Sequence, residues 1–534
     1  MGKNQQNKKR KRNNNGTTAQ THPVAVTTTQ LQLPSPPSEP ANASLIDGDD
    51  LECTVNVLET LVEFPEELGD KKYKDLKRRV HELYRVLAEG AGIGASLTSK
   101  ISAALQDYRF TDALIYLFEM YERRLPPKLG ALQRWVRECD ATSAADGSHG
   151  DPEAMRCLDM ILRIANMSTE KAAGAGGEKV LGTSGVAELD PAMDAKGKGK
   201  EVIKKMEVFR AREPVEGEIR IWEMMQKGTL FDTPPPTPYP NFRPVHHVLA
   251  ADRKPPNLYD STVYASSPSA ISLTPASQRL RQPPRKVDVP GVPGAFVVLD
   301  VFTPEECLQI VRAAEAIGFE KDEAASGSAV MKNSILARNF VWLADEDFLA
   351  HFYNQILPFV PASAPINVDG NGGGKVRGIN ARFRVYQYTE NQLYRPHIDG
   401  AWPAAGLHPE TGEYMHDSSP AHDPLWSRYT LLVYLNGEGD IPDDTGCTTF
   451  FLPSDKMGVM EARSVRPVQG AVLCFPHGDT TGSLLHEGSA VGPNGGKLVI
   501  RTDLLYEAQG YGQFKPPASV GVVQGGKGEE GIGG

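Results

Sequence analysis

The sequence predicts a multidomain chain: a disordered basic N-terminus, a small all-α domain, and a C-terminal all-β sandwich or barrel with flanking helices. Three observations carry this. Gly and Pro, 51 and 41 of 534 residues, cluster in separate stretches that read as linkers. Apolar residues recur at helical spacing between about Gly48 and Met167. After Lys286, short runs of Val, Leu, Phe and Tyr alternate with Gly, Pro and Asp turns, as strands do. A chain of this length also exceeds what one hydrophobic core can hold.

Residues 1–47 contain Lys3 and the run Lys8, Lys9, Arg10, Lys11, Arg12, with no apolar segment behind it to form the core of a signal peptide. Secretion is not expected; a nuclear or cytoplasmic location is. The run reads equally as a nuclear-localisation or nucleic-acid-contact segment and as a solvated charge run. The Asn-, Thr-, Gln-, Ser- and Pro-rich remainder buries too little apolar surface to offset backbone ordering, so disorder is expected. No stretch approaches the roughly 18 apolar residues of a membrane helix. Six scattered cysteines without a C-x-x-C pair point away from disulfides and structural zinc and towards a reducing compartment.

Residues 48–167 form the expected helical domain. In its clearest stretch, Ile101, Leu105, Tyr108, Ala113 and Leu117 fall three to five apart. The Pro pair after Leu125 breaks one helix, and a later one turns Leu132, Trp135 and Val136 inward. No catalytic constellation appears here, and a protein partner is the functional expectation. Residues 168–205, rich in Gly, Ala and Lys, read as a flexible linker. Residues 206–285 read as a Pro-rich, mostly irregular segment with one helix around Glu216 to Lys227. His246 and His247 lie in it without a carboxylate or Cys at ligand spacing.

Residues 286–510 are the expected β domain, followed by a disordered Gly-rich tail, 511–534. Thr303 as N-cap, Pro304 at the first helical position and Glu306 form a capping box ahead of the stripe Cys307, Ile310, Val311, Ala314. A second helix covers about Asp345 to Leu357.

The stretch RFRVYQYTENQLYRPHIDG reads as a strand from Arg382 to Tyr388, a polar turn, and a short strand carrying His397 and Asp399. Residues i and i+2 of a strand share a face, so this imidazole and carboxylate can take neighbouring positions on one metal. His486, on a later strand, is the candidate third ligand. Two histidines and a carboxylate on one face of an octahedron leave three sites open, the arrangement of non-haem Fe(II) oxygenases. A second H-x-D, His477 and Asp479, ends seven residues before His486 and reads as a strand end and turn. His408, His416 and His422 fall in a Pro- and Gly-rich insert and read as loop residues. In GKLVIRTDLLY, Lys497 and Arg501 share one face, opposite Leu498, Ile500 and Leu504, and either could grip a buried carboxylate. Tyr434, on SRYTLLVYLN, could reach the same anion or simply pack in the core.

These motifs resemble the prolyl 4-hydroxylase-like branch of the 2-oxoglutarate- and Fe(II)-dependent dioxygenases. The resemblance runs from about Gly291 to Tyr506. It is carried by RVYQYTENQLYRPHID, YTLLVYLN with TGCTTFF, VRPVQGAVLCFPH, and LLHEGSAV with GGKLVIRTDLLY, in the family's order. It implies a double-stranded β-helix (jelly roll) with iron on His397, Asp399 and His486, and Tyr388 and Tyr434 lining the 2-oxoglutarate pocket. Lys497 would meet the distal carboxylate, with Arg501 near the oxo-acid or the substrate. The chain departs from the pattern at Asn391, at Cys447 and by one extra residue between His486 and Lys497, which leaves the choice between Lys497 and Arg501 open. The implied cofactors are Fe(II), 2-oxoglutarate and O₂, with ascorbate as a further candidate. The implied reaction hydroxylates a C–H bond, on a protein or peptide substrate, and releases succinate and CO₂. A nucleic-acid demethylase fits less well: residue 507 is Glu where those relatives carry a second arginine. Residues 286–510 also hold 16 basic against 28 acidic residues, a poor surface for phosphates. The third alternative is an inactive binding scaffold.

Overall fold

The computed structural model describes residues 47–90, 96–125, 127–139, 151–172, 202–213, 217–253, 256–275, 283–323, 325, 337–364, 374–478 and 482–508, of which 84–90, 129 and 167–172 are described by their backbone alone. The basic run, both expected disordered tails, most of the 168–205 linker and Asp479 lie outside them. Two compact units divide between Leu83 and Tyr84, inside the stretch expected to form one helical domain. The first contains α1 (Gly48–Glu63), capped by the Asp47 carboxylate accepting from the Asp49 N–H, and most of α2 (Lys74–Gly90).

In the second unit α3 (Leu97–Gln106), α4 (Phe110–Glu122), α5 (Leu129–Glu138) and α6 (Pro152–Ala172) form a helical layer. Ile101, Leu105, Ala113, Leu117 and Trp135 are fully buried there, as their spacing predicts. Tyr108 is the exception: it sits at φ 56°, ends the first helical turn run, and is 56 % exposed. The apolar face of this layer packs in one core with Ile398, Phe451, Met460 and Leu485 of the β domain. Polar contacts fix the docking. Arg163 donates to the Ser454 and Lys456 carbonyls (2.9 and 2.8 Å), and the Asp159 carboxylate accepts from the Gly458 N–H at 2.7 Å. The amphipathic pattern thus showed which face was apolar, and the face covers the β domain itself.

The strands run in chain order. β1 (Ile203–Lys205), β2 (Phe242–Val248), β3 (Ser261–Ser266), β4 (Arg285–Asp288) and β5 (Phe296–Leu299) come first. β6 (Glu320–Lys321), β7 (Arg338–Leu343), β8 (Val376–Ile379), β9 (Arg382–Tyr388) and β10 (Tyr394–His397) follow. β11 (Gly406–Leu407) and β12 (Tyr414–Met415) make a small hairpin ahead of β13 (Leu425–Tyr434), β14 (Thr448–Pro453) and β15 (Met460–Val465). β16 (Val472–Pro476), β17 (His486–Gly488) and β18 (Lys497–Glu507) complete the domain. Helices α7 (Ile221–Lys227), α8 (Pro304–Ile317, with the expected capping box) and α9 (Glu346–Ile356, capped by Asp345) flank them.

Eight strands define the site. The order β9-β18-β13-β16 lies within one large sheet and β10-β17-β14-β15 within a second, so the chain alternates between two antiparallel sheets as a jelly roll does. Tyr386, Tyr434 and Val499 from the first sheet share a core with Phe450, Val465 and Leu484 near the second. The segment expected to be mostly irregular contributes β2 and β3, which extend the large sheet through a parallel pairing of β3 with β7. Pro244 lies at a register shift in β2, which is an edge strand, where a residue without an N–H is tolerated. β1 adds to β15 within the expected linker.

Candidate metal centre

β10 and β17 pair so that His397 and His486 are direct cross-strand partners. Asp399 lies just beyond the end of β10, where the segment is held from behind by α5: Gln133 donates to the Ile398 carbonyl at 3.3 Å. The ligand atoms of His397, Asp399 and His486 all lie within 4.8 Å of one another, the one such group of three among the described residues. Asp399 Oδ1 is 3.6 Å from His397 Nε2, and Oδ2 is 3.7 Å from His486 Nε2.

Backbone contacts fix which imidazole nitrogens face inward. Nδ1 of His397 meets the Arg395 carbonyl at 2.7 Å, and Nδ1 of His486 meets the Leu484 carbonyl at 3.0 Å. A carbonyl only accepts, so both Nδ1 atoms carry the proton and both Nε2 lone pairs turn to the centre, as metal-binding histidines require. Burial, then the neighbouring His397, push His486 down to about 3, so it stays neutral across physiological pH. Asp399 is ionised: burial opposes the charge, but Arg501 and then the two imidazoles outweigh it and hold its pKa well below the carboxylate range. Two imidazoles and one carboxylate, buried and convergent, fit a divalent transition metal with open positions.

Behind Asp399 lies a hydrogen-bond chain. Thr430 Oγ donates to Asp399 Oδ2 at 2.6 Å and is 2.7 Å from His477 Nδ1, which donates to it in turn. His477 Nε2 accepts from Ser427 Oγ at 2.8 Å. Burial, then Arg501, push His477 down to about 3. His477 follows the end of β16, as the strand-end reading expects, but it is buried and reaches the Asp399 carboxylate through Thr430. The sequence signal available was its position at the end of a strand paired with β13, which places Pro476 opposite Tyr429.

Lys497 and Arg501 occupy opposite ends of one inner face. On β18, Lys497 is the cross-strand partner of Tyr388 and Arg501 that of Arg384. Arg501 is tied to carboxylates, 3.4 Å from Asp399 and 3.2 Å from Asp503. Lys497 is 3 % exposed, and among the described residues its ammonium makes one hydrogen bond, a long 3.5 Å contact to the Cys447 carbonyl. Its ammonium lies 5.8 and 5.7 Å from the Tyr388 and Tyr434 ring centres. Burial lowers it to about 8. The nearby Glu487, which accepts from Ser489 at 2.8 Å, is pushed up to about 8 by its own burial and gives Lys497 little counter-charge at neutral pH. The Tyr434 hydroxyl shares a 2.9 Å hydrogen bond with Thr448.

His246, His247, His408 and His416 do not join the three-residue group. His246 stacks on Tyr414 (5.0 Å) and His247 meets Asp260 at 3.1 Å. His408 Nδ1 accepts from the Glu410 and Thr411 N–H groups, and His416 packs edge-on against Trp402. No described helix is long and apolar enough to cross a membrane.

Neither a family model nor a curated protein matches the chain. Solved structures similar to it include a viral collagen prolyl hydroxylase from Paramecium bursaria Chlorella virus-1 in complex with 2-oxoglutarate, at 16 % identity and a TM-score of 0.24, covering 42 % of this chain and 97 % of that one. A Trichoplax adhaerens prolyl hydroxylase, solved with a peptide fragment of the hypoxia inducible factor oxygen degradation domain, matches at 15 % identity and a TM-score of 0.26, covering 40 % and 84 %. HygX from Streptomyces hygroscopicus, with nickel and 2-oxoglutarate bound, matches at 12 % identity and a TM-score of 0.24, covering 41 % and 84 %. Likenesses at these values leave the reaction of this chain to its own residues.

Proposed function

We propose that the C-terminal domain is a double-stranded β-helix of the prolyl 4-hydroxylase-like kind, acting as an Fe(II)- and 2-oxoglutarate-dependent dioxygenase that hydroxylates a C–H bond of a protein or peptide substrate. The observation that carries this is a pairing in the space between the two sheets. A buried two-histidine, one-carboxylate group stands at one end, and a buried ammonium without an ion-pair partner among the described residues stands at the other. A buried cation without a counter-ion is costly unless a ligand supplies one. A dicarboxylic oxo-acid does so while its other end reaches the metal.

Within this reading His397, Asp399 and His486 hold Fe(II), and the iron with 2-oxoglutarate and O₂ supplies the oxidation that releases succinate and CO₂. Lys497 takes the distal carboxylate, with Tyr388 and Tyr434 walling its pocket. Arg501 stays with Asp399 and Asp503. Thr430 and His477 keep the Asp399 carboxylate aimed. Phe475 and Phe450, packed 4.6 and 6.0 Å from the His486 ring, exclude water from that side.

The test is succinate release by the purified full chain with Fe(II) and 2-oxoglutarate, alongside His397→Ala and Asp399→Ala. Release by wild type and loss in both variants is expected. Equal silence from all three would point to the binding scaffold instead.

A further inference from the structure

Next to the metal centre, on the side away from Lys497, opens a narrow cleft walled by Trp402 and Pro403 and floored by Arg382, Arg384, Arg501 and Asp503. Arg382 and Arg384 stand two apart on β9 and so share a face, and Arg384 is the cross-strand partner of Arg501. Three guanidinium groups thus meet in a domain whose overall balance is acidic. Two of them are compensated. Arg501 is held by Asp399 and Asp503; Arg384 donates to the Tyr386 hydroxyl at 3.2 Å and faces Asp322 at 3.7 Å. Arg382 is not: among the described residues no hydrogen bond or ion pair reaches its partly buried guanidinium. Burial and then the neighbouring Arg384 disfavour its charge, yet a guanidinium does not give up its proton.

We propose that this cleft recognises a carboxylate on the substrate, held by Arg382 and Arg384, so that the C–H bond to be oxidised is presented beside the metal. This rests on the oxygenase reading of the same site. A planar carboxylate matches the guanidinium fork, and a single negative charge matches the one uncompensated cation. A phosphate dianion would meet the Asp503 carboxylate at the floor. Arg501 reaches from the cleft floor to Asp399, so the anion site and the metal site are contiguous.

The carboxylate can belong to a free small acid or to an acidic side chain in a peptide, and two probe pairs separate these. Binding is measured on the full chain loaded with Mn(II) and 2-oxoglutarate without O₂, so that no turnover intervenes. N-acetylglutamate with its α-carboxyl blocked as the methylamide is compared with the matching glutamine derivative, and an N-acetylated, C-amidated hexapeptide containing Glu with its Gln counterpart. The acid should bind at least about tenfold more tightly than its amide in one pair, which identifies the source, and Arg382→Gln should remove that preference, as expected for losing one charge-assisted contact. Arg382→Gln should also melt no lower than wild type, because the guanidinium makes no hydrogen bond or ion pair with the described residues, so loss of binding is not loss of fold. Acid and amide binding alike in both pairs, or a preference that survives in Arg382→Gln, would overturn the proposal. Succinate release is scored separately: a chain that prefers the acid but releases no succinate contradicts the oxygenase reading and leaves the anion site standing.

Discussion

Lys497 and Arg501 leave the same face of one strand, four residues or about 13 Å apart, and their surroundings differ in kind. Arg501 is enclosed by carboxylates at the metal end, whereas Lys497 is enclosed by tyrosines and a backbone carbonyl at the other. Sequence spacing leaves the two interchangeable as anchors for an oxo-acid. The structure separates them by their partners: Arg501 has two carboxylates within 3.4 Å, whereas Lys497 has none among the described residues, which is why the proposed function gives the oxo-acid to Lys497.

The comparison can be broken at either end. The largest effect is expected at the metal end, where Asp399→Ala should abolish metal uptake, measured by metal content after dialysis, while Lys497→Met should retain it. At the other end, Lys497→Met should weaken 2-oxoglutarate by about 100-fold, the 2–3 kcal/mol associated with losing the partner of a charged group; calorimetry on the Mn(II) protein reads this. Thr430→Val, which removes the donor to Asp399 and breaks the link to His477, should lower metal affinity by about 10- to 100-fold without the total loss seen for Asp399→Ala. The smallest effect is on stability. Lys497 titrates near 8 in the fold against its ordinary 10.5. Below pH 8 both states carry the charge and the fold bears the cost of burying it. Between pH 8 and 10.5 the folded state sheds its proton first, and that cost fades. Ligand-free Lys497→Met should therefore be more stable than wild type at pH 7, by at most about 3 kcal/mol, with a gap that narrows towards pH 10.5 in denaturant titrations.

The same contrast explains what the sequence disclosed. His397 and Asp399 were legible as a pair because their spacing and the flanking strand place both side chains locally, and His486 because a later strand returns beside them. Strand alternation was only half the reason: β10 ends at His397, and Asp399 converges from the following segment with α5 behind it. His477 was not legible as an orienting residue, since its link to Asp399 passes through Thr430, 47 positions away in sequence. β2 and β3 were hidden because Pro- and His-rich edge strands lack the apolar alternation of central ones, and their parallel partner β7 is far along the chain. The helical layer was legible as helices but not as part of the β domain's core, because periodicity marks an apolar face without saying what covers it.

The most direct test of the central claim is an anaerobic titration of the Fe(II)-loaded full chain with 2-oxoglutarate, following the visible charge-transfer absorption of an oxo-acid chelated to Fe(II). Wild type should develop the band at saturating oxo-acid, Asp399→Ala should show none, and Lys497→Met should need about 100-fold more 2-oxoglutarate to reach it. A wild-type protein that binds Fe(II) but never develops the band, or a Lys497→Met titration that overlays wild type, would contradict it.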